Sequence, residues 1–181
     1  MNQNGTWVLM LFVAIIVGLL LLLLHLTGFG DLIQGRIHER PRRRLFLSSI
    51  SFFLTFLLVR LLVMSITHHF GPFHWVYFHG KHIHHLVWGI LLLLIVGYGY
   101  SAEIGHKETP WSIFLSRLFA ILYGVGAALT LDEFALWLNL KDVYWARQGR
   151  ESIDAVVLFG AFLAIVTWGA PLWHGVRNRR R

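Results

Sequence analysis

The sequence predicts an all-α protein, a polytopic membrane bundle of five transmembrane helices, and three observations carry that prediction. The residues are 56% hydrophobic and 14% charged, and the apolar ones form long unbroken runs instead of the periodic stripes of a soluble core. With 181 residues, the runs fill one transmembrane domain over 1–181 and leave no room for an ordinary soluble domain. Most arginines flank the runs, so membrane topology and anionic headgroups account for the net charge of +7 better than nucleic acid does.

The five predicted spans are residues 7–26, 45–66, 82–100, 111–138 and 153–173. The first has about the twenty apolar residues that cross a hydrocarbon core of about 30 Å. The arginine-rich stretch 28–44 is predicted to be a polar loop, because Pro41 interrupts a helix. The second span contains Arg60. Because an unpaired charge in the hydrocarbon core is energetically costly, we expect Arg60 to have an acidic partner, either Asp132 or Glu133.

The remaining elements also have local signals. The histidine-rich and aromatic stretch 67–81 suits the membrane–water interface. On the fourth span Ala120, Gly124 and Ala128 recur every four residues and lead to Asp132, a spacing that predicts close helix packing. Ser152 is predicted to cap the fifth span.

Counting basic residues on the two sides of a five-span chain predicts its orientation. The side with the C-terminus receives eleven lysines and arginines and the opposite side five, so the positive-inside rule puts the N-terminus out and the C-terminus in. The predicted location is the bacterial inner membrane. The stretch FHGKHIHH at 78–85 and the acidic pair Asp132 and Glu133 then lie on the same, extracytoplasmic side.

The histidines of this stretch predict a metal site. If the third helix begins at His82, then His82 and His85 share one face, His84 points elsewhere, and Gly89 leaves space beside them. Imidazole and carboxylate are common ligands of transition metals, and the chain has no cysteine to supply a thiolate. The predicted ligands are His79, His82, His84, His85 and Glu133, with zinc as the first choice of divalent metal and iron as the alternative. In the competing interpretation, the histidines are simply hydrated and the acids form ordinary ion pairs with Lys141, Arg147 or Arg150.

Three segments carry a family resemblance: HIHHLVWGI at 82–90, GVGAALTLDEFALWLNLKDVYW at 124–145 and GRESIDAV at 149–156. On these the second half of the chain resembles a family of small bacterial integral membrane proteins with HIHH, TLDEFAL and DVYW motifs. That resemblance implies a single site that joins the histidines, Asp132 and Glu133 with Asp142, Tyr144 and Trp145, but it implies no activity. A weaker similarity links the histidines to histidine-box and ceramidase-like membrane metalloenzymes.

The functional hypothesis is a metal site at the extracytoplasmic interface, in a hydrolase or oxidoreductase acting on a lipid-like substrate. Asp132 and Tyr144 are the candidate catalytic residues, and Asp142, Trp145 and Arg150 the candidate substrate-binding ones. Membrane lipids are the expected partners. The alternatives are a non-catalytic metal- or haem-binding protein, a transport accessory, a pH sensor built from clustered imidazoles, or a structural subunit of a larger complex.

Overall fold

The computed structural model describes residues 11, 14–15, 18–19, 22, 37, 39–69, 77–78, 81–82, 84–140 and 150–168. Its helices are α1 (Arg40–Thr67), α2 (His85–Ser101), α3 (Pro110–Asp132), α4 (Phe134–Asn139) and α5 (Arg150–Trp168). A short antiparallel ladder pairs β1 (Tyr77–Phe78) with β2 (Lys81–His82). Residues 11, 14–15, 18–19 and 22, within the first predicted span, are helical. Apart from this four-residue ladder, the regular secondary structure of the described residues is therefore helical, as the composition predicts.

Helix α3 is the centre of the bundle, because α1, α2 and α5 all pack against it. The Ser48 hydroxyl of α1 donates to the Ala120 carbonyl, and twelve residues further along each helix Arg60 contacts Asp132. Helices α1 and α3 therefore run parallel and in constant register, whereas α2, which follows α1 in sequence, packs against α3 in the opposite direction.

Glycines allow the close packing around α3 that the four-residue spacing predicts. A Cβ on Gly124 would lie 2.0 Å from Ser51 Oγ and 2.3 Å from the Ser48 carbonyl, so α1 and α3 touch there through backbone. A Cβ on Gly89 of α2 would lie 2.5 Å from Thr130 Oγ1 and 2.8 Å from the Gly126 carbonyl. The expectation that Gly89 leaves open space is therefore wrong, because α3 occupies that space.

The described bundle differs from a soluble domain in its exterior, which is as apolar as its core. Small polar side chains such as Ser51 and Thr55 are fully buried between helices, while large apolar side chains face outward on several helices. Leu94 of α2 is 64% exposed and Leu158 of α5 is 70% exposed. Such an extensive apolar exterior is unusual for a soluble monomer and suits contact with lipid.

Two of the described helices, α1 and α3, are long and apolar enough to cross a membrane. Helix α2 and the stretch Ser152–Leu163 of α5 are shorter apolar helices. The five-span bundle as a whole remains a prediction.

Two predicted boundaries are wrong for local reasons. Helix α1 already begins at Arg40, because proline is tolerated in a first turn, so Pro41 starts the helix instead of interrupting it. The predicted fourth span 111–138 is not continuous: α3 ends at Asp132, α4 begins at Phe134, and Glu133 between them has the non-helical torsions φ −107° and ψ 26°.

Candidate functional site: a buried histidine–carboxylate–arginine network

The candidate site lies at one end of the bundle, where several helices begin or end. The last third of α1 supplies Arg60, the start of α2 supplies His84 and His85, and the end of α3 supplies Asp132 and Glu133. These five side chains form what is called the network. They come from three segments, since 24 positions separate Arg60 from His84 and 47 separate His85 from Asp132. The parallel register of α1 and α3 and the return of α2 bring them to the same height.

Asp132 is the deepest member of the network, with a side chain that is 0% exposed. Its Oδ1 lies 2.5 Å from Arg60 Nε, and its Oδ2 lies 3.0 Å from His85 Nε2. The guanidinium of Arg60 also lies over the Phe56 ring. The sequence predicts an acidic partner for Arg60, either Asp132 or Glu133, and the structure shows that it is Asp132.

Glu133 joins the end of α3 to the start of α2. Its Oε2 accepts a hydrogen bond of 3.0 Å from the Leu86 backbone N–H in the first turn of α2, and its Oε1 lies 2.7 Å from His84 Nδ1. A carboxylate near helix N–H groups satisfies a donor that has no partner within its own helix and interacts favourably with the helix dipole. The break in the helix at Glu133 is what allows this side chain to reach α2.

His85 bridges the two acids. While Nε2 contacts Asp132, Nδ1 lies 3.5 Å from Glu133 Oε1, within ion-pair distance. Ionised carboxylates only accept hydrogen bonds, and a neutral imidazole has a single N–H, so both contacts are favourable together only for the doubly protonated ring. With that imidazolium, Arg60 and His85 balance the charges of Asp132 and Glu133.

Two expectations about the histidines are wrong. His82 belongs to β2, not to the third helix, so it shares no helical face with His85. His84 is the residue immediately before α2, with extended torsions, and it turns to Glu133 instead of pointing elsewhere. The predictions assumed a helix that starts three residues too early, and a shift of that size changes which side chains meet.

A further contact lies beside the network. The Ser152 hydroxyl accepts a hydrogen bond of 2.9 Å from the Ala135 backbone N–H, which ties the start of α4 to α5. Ser152 was expected to cap its own helix, but α5 already begins at Arg150, and the buried hydroxyl serves α4 instead. Nothing in the sequence around Ala135 indicates this partner.

The other predicted site residues lie outside what the structure describes. His79, Asp142, Tyr144 and Trp145 are not among the described residues, nor are Lys141 and Arg147 of the competing interpretation. For His82 and Arg150 the description covers the backbone but not the side chain. Of the ten residues predicted for the site, the network thus brings together four: His84, His85, Asp132 and Glu133.

The described side chains do not form a metal centre. Among the described residues, no three histidine or acidic side chains are grouped so that they could hold a metal ion. The four carboxylate oxygens of Asp132 and Glu133 each face a guanidinium, an imidazole or a backbone N–H. A cation bound there would have to displace these donors and lie beside the fixed positive charge of Arg60.

Comparisons with known proteins provide no further assignment: no family model, curated protein or solved structure matches the chain.

Proposed function

We propose that the chain is a multi-pass bacterial inner-membrane protein that senses pH through the network. The observation that carries the proposal is the position of His85, whose two ring nitrogens face two different carboxylates at 3.0 and 3.5 Å. Imidazole ordinarily changes charge between about pH 5 and 8, which makes histidine the common pH-responsive side chain of proteins. The orientation predicted from the positive-inside rule exposes this centre to the extracytoplasmic side.

Protonation of His85 determines how strongly α2 is held to α3. In the protonated state the ring donates to Asp132 through Nε2 and lies within ion-pair distance of Glu133. With His84 neutral, the charges of His85 and Arg60 then balance those of the two carboxylates. Loss of the proton as pH rises removes one donor and leaves a net negative charge in a buried site, which is unfavourable where the dielectric is low. The contacts between the start of α2 and the α3–α4 junction weaken in consequence.

The α3–α4 junction is the element that would report this change. Glu133 contacts both histidines and lies at the break between α3 and α4, and α4 is tied in turn to α5 through Ala135 and Ser152. A change at His85 is thereby passed to a short helix at the end of the bundle, the kind of linkage between charge and packing that operates in histidine-based switches.

The test measures the conformation of α4 as a function of pH. The chain has no cysteine, so an environment-sensitive fluorophore can be attached to a single cysteine at Leu138, which is 60% exposed on α4. For protein in lipid nanodiscs between pH 5 and 9, we expect a sigmoidal change in emission that disappears in His85→Gln. His106→Gln, an exposed histidine in the loop between α2 and α3, is the matched control and should keep the full response. A response that survives unchanged in His85→Gln refutes the proposal.

Metal binding is the second candidate function, and one observation favours it. The Nδ1 atoms of His84 and His85 lie 2.7 and 3.5 Å from the same Glu133 oxygen, so the two imidazoles and the carboxylate of a two-histidine, one-carboxylate set are close together. As placed they contact one another and do not form a group that could hold a metal, so binding would require these side chains to turn toward the ion. Such a centre would draw a third imidazole from His79 or His82 and could serve a hydrolase or oxidoreductase acting on lipid. Elemental analysis of the same preparation decides between the two: about one equivalent of zinc or iron, lost in His85→Gln, selects the metal.

A further inference from the structure

The network rests on a layer of the bundle that contains two buried polar groups without a hydrogen-bond partner among the described residues. They are the hydroxyl of Thr55 on α1 and the indole N–H of Trp88 on α2. Thr55 is 0% exposed. A buried polar group without a hydrogen bond costs about 1–3 kcal/mol, so native structures rarely leave one unsatisfied.

Thr55 differs from Thr67 and Thr130, two other helical threonines whose side chains the structure describes. The hydroxyls of Thr67 and Thr130 donate to the carbonyl four residues earlier, at 2.9 and 2.8 Å, which is the usual solution for a threonine within a helix. The corresponding carbonyl for Thr55 belongs to Ser51 on the same helix, yet its hydroxyl does not bond there.

The packing register brings both groups to one height, about one turn below Asp132. Helices α1 and α3 keep a constant register from Ser48 with Ala120 to Arg60 with Asp132, which sets Thr55 level with Ala127. Helix α2 runs antiparallel to α3: His85 contacts Asp132, and Gly89 lies against Thr130. Trp88 therefore lies close to the height of Thr55 and Ala127.

Most of the described neighbours at this height are apolar or small, and the hydroxyl of Thr130, which lies against Gly89, already donates to the Gly126 carbonyl. Trp88 packs against an apolar cluster that includes Val59, one turn from Thr55 on α1, and Leu129 of α3. Ala127 and Ala128 complete the buried α3 surface of the layer. The two polar groups thus lie among small and apolar side chains directly beneath the charged network.

The chemistry of the two groups defines what can satisfy them. An indole N–H only donates, and a threonine hydroxyl donates and accepts, so the occupant must offer lone pairs and fit between closely packed helices. Water meets both requirements, and buried waters typically bond to about three otherwise unsatisfied polar groups. We propose that a buried water site lies between Thr55 and Trp88, about one turn below Asp132.

The proposal deepens the proposed pH-sensing function, because hydration beneath Asp132 would provide a proton acceptor on the inner side of the network. The water site is nevertheless inferred only from the Thr55 hydroxyl and the Trp88 indole N–H. Its test therefore measures the contact of the Trp88 indole proton with water and does not depend on any response to pH.

The experiment observes the Trp88 indole proton by NMR in uniformly ¹⁵N-labelled full-length protein in deuterated detergent micelles, with the Trp88→Phe spectrum identifying the signal. We expect a cross-peak between this proton and water, and loss of that cross-peak in Thr55→Val. Thr130→Val, whose native hydroxyl is already bonded to backbone, is the matched control and should leave the cross-peak in place. An indole proton without any water contact in the wild-type protein, or a cross-peak that is unchanged in Thr55→Val, overturns the proposal.

The outcomes for the two proposals can be separated with His85→Gln. If that variant abolishes the pH response and the cross-peak remains, both proposals stand. A wild-type protein with the cross-peak but no pH response refutes the sensing function alone.

Discussion

Replacement of Asp132 by asparagine is the most direct test of the buried network. The change keeps the size of the side chain but removes the negative charge that lies 2.5 Å from Arg60 Nε and 3.0 Å from His85 Nε2. Removing one partner of a buried ion pair costs about 3–5 kcal/mol, because the other charge stays buried without compensation. Because the Arg60 side chain is 22% exposed and part of its charge is hydrated, we expect a value near the lower end, about 3 kcal/mol.

Thermal unfolding in detergent micelles measures this loss. For a chain of this size, each kcal/mol corresponds to about 2–4 °C, so Asp132→Asn should melt about 6–12 °C below the wild type. Asp154→Asn is the matched control: Asp154 is exposed on α5 and outside the network, and the change should lower Tm by less than about 3 °C, as expected for a weak helix-dipole contact.

A double variant separates the charge effect from a simple loss of packing. Arg60→Gln combined with Asp132→Asn removes both members of the ion pair, so the double variant should melt above the Asp132→Asn single variant. If Asp132→Asn melts as the control does, or if the second substitution only adds to the loss, the interpretation of these residues as a buried ion pair is refuted.

Three other changes test the packing, the junction and the orientation. Gly124→Ala should lower stability by about 1–3 kcal/mol, as overpacking does, because the new Cβ would overlap α1. Gly97→Ala is the control and should raise or preserve Tm, because nothing lies within 4 Å of its Cβ position. Equal effects of the two substitutions would contradict the close packing of α1 and α3. Glu133→Gln keeps an acceptor for the α2 backbone and should be milder than Glu133→Ala by about 1 kcal/mol, the usual worth of a helix cap, and equal melting temperatures would exclude the capping role. In intact cells, a membrane-impermeant maleimide should label a cysteine at His69 but not one at Lys107, both exposed positions at opposite ends of the bundle; the reverse pattern would invert the predicted orientation.

The helical class and the packing of α3 could be predicted from the sequence because each depends on local composition. The small residues at 120, 124 and 128 are spaced by one helical turn, and that spacing alone places them on one face. An acidic partner for Arg60 could be predicted for a similar reason, since an isolated charge in an apolar run needs a partner and few acids lie at the right depth. The sequence does not decide between Asp132 and Glu133.

The details of the site could not be predicted, because they depend on where helices begin and end. Whether His82 or His85 starts α2 decides which imidazoles meet Glu133, and histidine gives no strong start signal of its own. The sequence does not predict the break at Glu133 either, because no proline or glycine lies there. The helix ends at the point where the Glu133 carboxylate accepts a hydrogen bond from the start of α2. In both cases tertiary contacts, which no local pattern encodes, determine the boundary.

The parallel register of α1 and α3 limits how the length of this chain can change. The two helices touch at both ends, since Arg44 donates a hydrogen bond to Ser116 near their starts and Arg60 meets Asp132 near the end of α3. One residue inserted between these contacts on α3 would rotate Asp132 by about 100° and raise it by about 1.5 Å, so that it would no longer meet Arg60. Insertions and deletions should therefore be accepted at exposed positions between α2 and α3, such as Lys107, but not at Gly105, whose carbonyl accepts from Arg40 and Arg44. Within the two helices they should occur only in both at once.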